Sequence, residues 1–192
     1  MPVRSLFATP LYEAEIGGGP TLDELAHSIR TLAQQDEAGA GWSRQHRYAG
    51  YTSYASLNDL PRRDPAFADL AKVLTRHAAA FAKEAGFELN RKPKVDCLWV
   101  NLLKSGGQHS GHIHPHSIIS GTLYVVVPAG SGSIRFEDPR LPLMIAPPPR
   151  ADTFVTVDPR PGLLLMWESW LRHEVLPGTT RGERLSISFN IA

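Results

Sequence analysis

The chain has 192 residues, of which 42% are hydrophobic, and its 20 lysines and arginines nearly balance 19 acidic residues. This length suits one domain with a continuous apolar core, and the charge balance excludes a general attraction to nucleic acid or to a membrane surface. The single Cys97 excludes an internal disulfide. Together with an N-terminus that lacks a signal-peptide pattern, it favours a reduced, cytoplasmic setting.

Two stretches in the first half of the chain predict amphipathic helices. In TLDELAHSIRTLAQQD, Thr21 and Glu24 have the spacing of a capping box ahead of leucines at helical intervals. In DPAFADLAKVLTRHAAAFAKEAGF, Asp64 is an N-cap candidate and Gly86 marks the end. Each helix has an apolar stripe, so we expect both to pack against a sheet.

The segment between these helices, residues 41–63, has no sustained period and is rich in Tyr, Ser and Arg. It predicts a long ordered loop with one short strand, and loops of this length are often functional. Two interpretations stay open, a substrate entrance and a solvated loop held in place by its aromatic residues. The entrance would be lined by Arg44, His46, Arg47, Tyr51 and Tyr54.

From residue 95 onward, short strand patterns are separated by Gly and Pro, and no helical pattern lies between them. The patterns are VDCLWVNLL, SIISGTLYVVV, SIRFED, TFVTVD, GLLLMWE and RLSISFNI. They predict a mainly β fold with flanking helices, an antiparallel sandwich or a jelly roll (a cupin-like double-stranded β-helix), with both helices on one sheet. Residues 1–192 would form a single domain, with residues 1–94 flanking a core at 95–192. The Pro-rich stretch 142–153 predicts a surface excursion.

A cluster of histidines stands directly before the strand pattern in HIHPHSIISGTLYVVVP. Side chains two residues apart on a strand point to one face, so His112 and His114 can project into one cavity. Imidazole is the usual protein ligand for iron, copper, nickel and zinc. The pair therefore predicts two ligands of one metal.

Such a site needs a third ligand. His109 and His116 are nearest in sequence, but Pro115 disturbs the strand before His116. His173 is the better candidate, because GLLLMWESWLRHEV predicts a strand and turn that carry this imidazole to a strand end. Ligands from strands far apart in sequence are common in jelly rolls.

The C-terminal pattern RLSISFNIA alternates strictly between apolar and hydrogen-bonding residues. One interpretation is the ordinary solvated face of an antiparallel sheet. The other is a carboxylate site, because Arg184 and Ser186 offer a guanidinium and a hydroxyl on the same face. With a metal nearby, an acidic co-substrate explains the pair.

The order of these motifs resembles the 2-oxoglutarate and Fe(II)-dependent oxygenase superfamily. More closely, HIHPHSIISGTLYVVVPAGSGSIRFEDPR and SWLRHEVLPGTTRGERLSISFNI resemble a branch in bacteria and phages whose members are mostly uncharacterised. The resemblance implies a dioxygenase that hydroxylates an unknown substrate, with Fe(II) on His112, His114 and His173. It also implies 2-oxoglutarate as co-substrate, with Arg184 on its far carboxylate and Ser186 assisting.

The same resemblance, combined with strand parity, implies further neighbours of the co-substrate. They are Asn101, Ser120, Tyr124 and Asn190. Most of the superfamily carries a carboxylate where this chain has His114, so three neutral imidazoles leave the iron site one negative charge short.

Two other classes of function stay open at this stage. A cupin-like metalloenzyme would use the three histidines without 2-oxoglutarate, and a non-catalytic module would hold a structural zinc. Structural zinc has four ligands, so the second would recruit His109 or His116. For partners, we expect a small-molecule or protein side-chain substrate, no membrane and no nucleic acid, with oligomer formation left open.

Overall fold

The computed structural model describes residues 6–146, 148 and 153–192, where the chain forms ten strands and three α-helices. The strands are β1 (Leu11–Glu15), β2 (Gly50–Thr52), β3 (Val95–Leu103), β4 (His109–His112), β5 (Ile119–Val126), β6 (Ile134–Glu137), β7 (Phe154–Val157), β8 (Leu163–Glu168), β9 (His173–Val175) and β10 (Arg184–Ile191). The helices are α1 (Leu22–Gln35), α2 (Glu37–Gln45) and α3 (Pro65–Glu84). Residues 147 and 149–152 of the predicted surface excursion lie outside the described residues.

The strands form two antiparallel sheets. The larger sheet has the order β1-β8-β5-β10-β3-β2, and the smaller has the order β4-β9-β6-β7. Between them lies an apolar cluster in which Tyr124 and Trp167 of the larger sheet meet Ile134 and Phe136 of the smaller one. The predicted jelly roll with flanking helices is confirmed.

The two predicted helices begin where their capping residues indicate. Thr21 Oγ1 accepts a hydrogen bond from the Glu24 N–H at 3.2 Å, and the Glu24 carboxylate accepts from the Thr21 N–H at 2.7 Å. Asp64 accepts from the Ala66 N–H at 2.8 Å. α3 ends before Gly86, whose φ of +73° suits glycine. Both helices pack their apolar stripes on the outer face of the larger sheet.

The prediction of a loop from residue 41 onward is wrong at its beginning, because α2 extends to Gln45. Asp36 is both the C-cap of α1 and the N-cap of α2, where its carboxylate accepts from the Gly39 N–H at 3.0 Å. Two glycines, Gly39 and Gly41, interrupt the helical pattern in the sequence. Glycine lowers the stability of a helix, and the hydrogen bonds of Asp36 offset this loss. The short strand expected in this segment is β2.

The alternation along β10 decides which side chains reach the space between the sheets. Leu185, Ile187, Phe189 and Ile191 belong to the apolar cluster under the helices. Arg184 and the alternate residues after it therefore face the smaller sheet. Among the described residues, no helix combines the length and apolar character needed to cross a bilayer.

Candidate active site

Three imidazoles converge at one end of the space between the sheets. His112 ends β4, His173 begins β9, and the two are paired across these antiparallel strands. His114 follows β4, with its N–H bound to the Ser169 carbonyl at 3.0 Å. One possible ligand atom from each histidine lies within 4.8 Å of the others, so the three could hold a metal ion.

Two of these rings have their orientation fixed by the backbone. His112 Nδ1 lies 2.7 Å from the Ser110 carbonyl oxygen, and His173 Nδ1 lies 2.9 Å from the Leu171 carbonyl oxygen. A carbonyl oxygen only accepts, so in each ring Nδ1 carries the proton. Each Nε2 is then left with a free lone pair, which is the arrangement that a metal-binding histidine requires.

The surroundings also keep two of the imidazoles uncharged. The pKa of His173 is lowered to about 3, chiefly by burial and also by the neighbouring His112 and His114, against the Leu171 hydrogen bond. Burial and His112 lower the pKa of His114 to about 4. Both rings are therefore neutral at pH 7, the form that binds metals.

The two other nearby histidines lie outside this cluster. His109 Nε2 is 2.6 Å from the Tyr48 hydroxyl, and burial, with a contribution from Arg184, lowers the pKa of His109 to about 3. His116 is exposed and has a φ of +69°. In the part of the chain that the structure describes, no fourth His, Cys, Asp or Glu joins the three imidazoles.

A cavity of about 370 Å³ opens beside the three imidazoles. Arg184, at the start of β10, lines it and is only 3% exposed. Its Nε and Nη1 have no hydrogen-bond partner among the described residues, and neither does the Tyr124 hydroxyl. The guanidinium carbon is 4.9 Å from the Tyr124 ring centre. A buried guanidinium with free donors is a site for an anion, because an unpaired buried charge is costly.

The polar residues on the same sheet differ in whether hydrogen bonds within the protein already occupy their side chains. Ser186 lines the cavity next to Arg184. Asn101 lines it too, but its amide already accepts from Thr52 Oγ1 at 2.9 Å and donates to Ser188 Oγ at 3.1 Å. These amide bonds make Asn101 part of the wall.

The remaining two predicted neighbours are Asn190, near the end of β10, and Ser120, its partner on β5. Asn190 lines the cavity and accepts from Ser120 Oγ at 2.9 Å. Ser120 is buried and does not line the cavity, because its hydroxyl is held between Asn190 and Ser169. Parity indicated the correct face of β5 for Ser120, but could not show that other side chains bind this hydroxyl.

Of the five residues predicted to line an entrance, Tyr54 lines the cavity. Tyr51 is buried instead, where its hydroxyl donates to Asp36 at 2.8 Å. The other three are exposed and do not line it. They are Arg44, His46 and Arg47.

Three of the aromatic cavity residues were not predicted from the sequence. Trp42 and Tyr48 reach the cavity from α2 and the turn after it, and Trp99 from β3. Trp167 packs its ring 4.6 Å from His173, and its Nε1 has no partner among the described residues. Their aromatic character indicated that they could line a binding cavity. Which way their side chains point depends on contacts between distant parts of the chain, which the sequence does not show.

Comparison with known proteins identifies the family. The model of the family described as "Putative 2OG-Fe(II) oxygenase" matches residues 97–190, the part of the chain that carries both the histidines and Arg184. The chain belongs to the 2OG-Fe(II) oxygenases. Enzymes of this family use Fe(II) and 2-oxoglutarate. The match confirms, at the level of the family, the resemblance that the motifs indicated.

Solved structures share the fold of this 2OG-Fe(II) oxygenase. A prolyl-4-hydroxylase from Pseudomonas putida superposes with a TM-score of 0.63 at 18% identity, over 95% of this chain and 92% of its own. HygX from Streptomyces hygroscopicus, with nickel and 2-oxoglutarate bound, has a TM-score of 0.61 at 16% identity, over 96% and 82%. An oxidoreductase of the 2OG-Fe(II) oxygenase family from Burkholderia pseudomallei has a TM-score of 0.50 at 13% identity, and the match covers 68% of this chain and 59% of that one. The search of curated proteins returned no match.

Proposed function

We propose that this 2OG-Fe(II) oxygenase hydroxylates an organic substrate, a small molecule or a protein side chain, with His112, His114 and His173 as iron ligands. Arg184 binds the carboxylate of 2-oxoglutarate that lies away from the iron. The observation that carries this proposal is that a buried guanidinium with two unpartnered nitrogens faces the same cavity as three converging imidazoles.

The donor set fits Fe(II). Three imidazole nitrogens on one side of an ion leave its other positions open for exchangeable ligands, as in non-heme oxygenases. The backbone acceptors at Ser110 and Leu171 hold the rings of His112 and His173 before metal arrives. When bound, iron supplies the chemistry in which 2-oxoglutarate, O₂ and a substrate C–H become succinate, CO₂ and a substrate C–OH.

The other end of the cavity fits the carboxylate. The unpartnered Nε and Nη1 of Arg184 leave two charged donors free for a carboxylate. The Tyr124 hydroxyl, also unpartnered, can add a third donor, and Ser186 lies on the same strand face. Burial raises the pKa of Tyr124, against the opposing effect of Arg184, so its hydroxyl keeps the proton that it would donate.

The walls between these two ends are largely apolar. Trp167 and Ile134 are each 2% exposed and line the cavity, and Val175 lines it from the smaller sheet. Apolar surroundings strengthen the interaction between the guanidinium and the carboxylate.

Anaerobic titration tests the proposal. Protein loaded with Fe(II) without O₂ should develop a weak visible charge-transfer band when 2-oxoglutarate is added, and should bind the keto acid in calorimetry. A metal-loaded protein that shows neither the band nor keto-acid binding would overturn the proposal and favour a metalloenzyme that does not use 2-oxoglutarate.

A further inference from the structure

The cavity has a second end that the iron ligands and the carboxylate site do not use. A row of aromatic side chains leads outward from the three clustered histidines. In this row, the Trp99 ring is 5.8 Å from the His114 ring and 5.2 Å from the Tyr54 ring. Trp99 is 6% exposed, whereas Tyr54 is 56% exposed. The row therefore runs from the buried cluster to the rim of the cavity.

This row lies away from Arg184. Trp99 is paired with Ser188 on β10, four residues along the strand from Arg184. At about 3.3 Å per residue, the two positions are separated by roughly 13 Å. A keto acid that joins Arg184 to the histidines would leave the aromatic row free for the substrate.

Further apolar groups line the same cavity. The half-buried Trp42 lines the cavity from α2, with its ring stacked on His46 at 4.1 Å. Ile113 lines the cavity between two of the histidines and is 46% exposed. Large apolar side chains at the open rim of a cavity mark a surface that binds apolar ligand groups.

The charges around the cavity select against charged ligands. The described lining residues include no Asp, Glu or Lys, and Arg184 is the one Lys or Arg among them. Fe(II) and Arg184 together carry more positive charge than the dianion of 2-oxoglutarate removes. A cationic group would be repelled by this excess of positive charge and would find no counter-ion. This repulsion outweighs the attraction of the cation to the aromatic faces. An anionic group would be attracted by this excess, but it would find no Lys or Arg to pair with among the described lining residues, because the keto acid occupies Arg184.

We infer that the substrate presents an uncharged group with an apolar ring, which stacks in the aromatic row formed by Tyr54 and Trp99, with Trp42 lining the same cavity. This inference rests on the proposed function, because it assigns the keto acid to the Arg184 end. The ring would lie next to His114, so its own carbons or those attached to it would be closest to the iron.

The test uses the whole chain loaded with Zn(II), which is redox-inert, and saturated with N-oxalylglycine, a non-reactive analogue of the keto acid. Three probes with the same ring and different charges are then titrated: benzyl alcohol, benzylamine and phenylacetate. The readout is the NMR signal of the four indole N–H groups. Benzyl alcohol should shift signals of Trp42 and Trp99 and bind about tenfold more tightly than either charged probe.

Two variants locate the binding. Tyr54→Leu should weaken benzyl alcohol binding by roughly twofold to tenfold, because it removes one aromatic wall. Trp170→Leu, an exposed tryptophan that does not line the cavity, should leave that titration unchanged. If N-oxalylglycine binds but benzylamine or phenylacetate binds as well as benzyl alcohol, or no probe binds, this inference is overturned. If the keto-acid analogue itself does not bind, the proposed function fails instead.

Discussion

His112 and His173 face each other as cross-strand partners on β4 and β9, although they are 61 positions apart in the chain. Their ring centres are 4.4 Å apart. Strand pairing thus positions two of the three clustered histidines. Any change that shifts the register of β9 would move His173 away from the other two.

Removal of the distal histidine should abolish tight metal binding. His173→Ala leaves two imidazoles, and we expect the affinity for Zn(II) or Fe(II) to fall by at least about 100-fold. Calorimetric titration of the metal-free protein measures the loss. His116→Ala is the matched control, because His116 is exposed and outside the cluster, and it should bind metal like the original chain. Equal losses in both variants would contradict the assignment of His173 as a ligand.

Replacement of the buried guanidinium should remove keto-acid binding and leave the metal site intact. Arg184→Gln should weaken 2-oxoglutarate binding by roughly 100-fold, since a charge-assisted carboxylate pair is lost, while Zn(II) affinity stays unchanged. The control is Arg181→Gln, which changes an exposed arginine three residues earlier. Without the keto acid, Arg184→Gln should not destabilise the fold, because the charge that it removes has unpartnered donors.

A carboxylate at the second ligand position should increase iron retention. His114→Asp supplies the negative charge that the three neutral imidazoles lack, so we expect Fe(II) to dissociate about tenfold more slowly during dialysis against a chelator. His114→Ala controls for the loss of the ring itself and should retain less iron than the original chain. Faster loss of iron from His114→Asp than from His114→Ala would contradict this electrostatic argument.

The buried neutral histidines should make the metal-free fold sensitive to acid. Burial holds the pKa of His109 and that of His173 at about 3, against 6.5 for an ordinary histidine. Between about pH 6.5 and pH 3, the unfolded chain binds protons that the folded chain excludes, so the free energy of unfolding decreases as pH falls. Each histidine contributes up to about 1.4 kcal/mol per pH unit.

Urea unfolding of the metal-free protein at a series of pH values from about 7 to 4.5 measures this dependence. His109→Gln should reduce the slope of the unfolding free energy against pH, and His116→Gln should not. A slope that is the same in His109→Gln and in the original chain would show that His109 does not contribute.

The buried Asp36 connects α1, α2 and the segment that carries the cavity aromatics. It accepts from the Gly39 N–H at 3.0 Å, the Tyr51 hydroxyl at 2.8 Å and the Ser56 hydroxyl at 2.5 Å. Burial would raise the pKa of Asp36, but these hydrogen bonds outweigh burial and lower it. Asp36→Ala should therefore reduce the free energy of unfolding by about 2–4 kcal/mol in urea titration. Asp23→Ala, on the exposed first turn of α1, should cost less than about 1 kcal/mol.

Features that depend on local sequence were predictable. The capping box of α1, the N-cap of α3 and the alternation of β10 each follow from residues within a few positions of one another. The convergence of His173 on His112 and His114 could be anticipated because a metal site needs ligands that converge, and the histidine pattern restricted the choice.

Features that depend on contacts between distant segments were not predictable. α2 was missed because its glycines hide a helix that Asp36 stabilises through Tyr51 and Ser56. The bond between Tyr48 and His109 joins residues 61 positions apart, and neither residue has a local pattern that indicates it. The hydroxyl of Ser120 is bound by two other side chains, which strand parity alone does not show.

A crystal structure of the chain with Mn(II) and N-oxalylglycine tests the central claim most directly. The account predicts one metal ion bound by Nε2 of His112 and His173 and by a ring nitrogen of His114. It also predicts that the analogue chelates the metal and that its far carboxylate is paired with Arg184. A metal bound elsewhere, or an analogue whose carboxylate lies away from Arg184, would contradict the account.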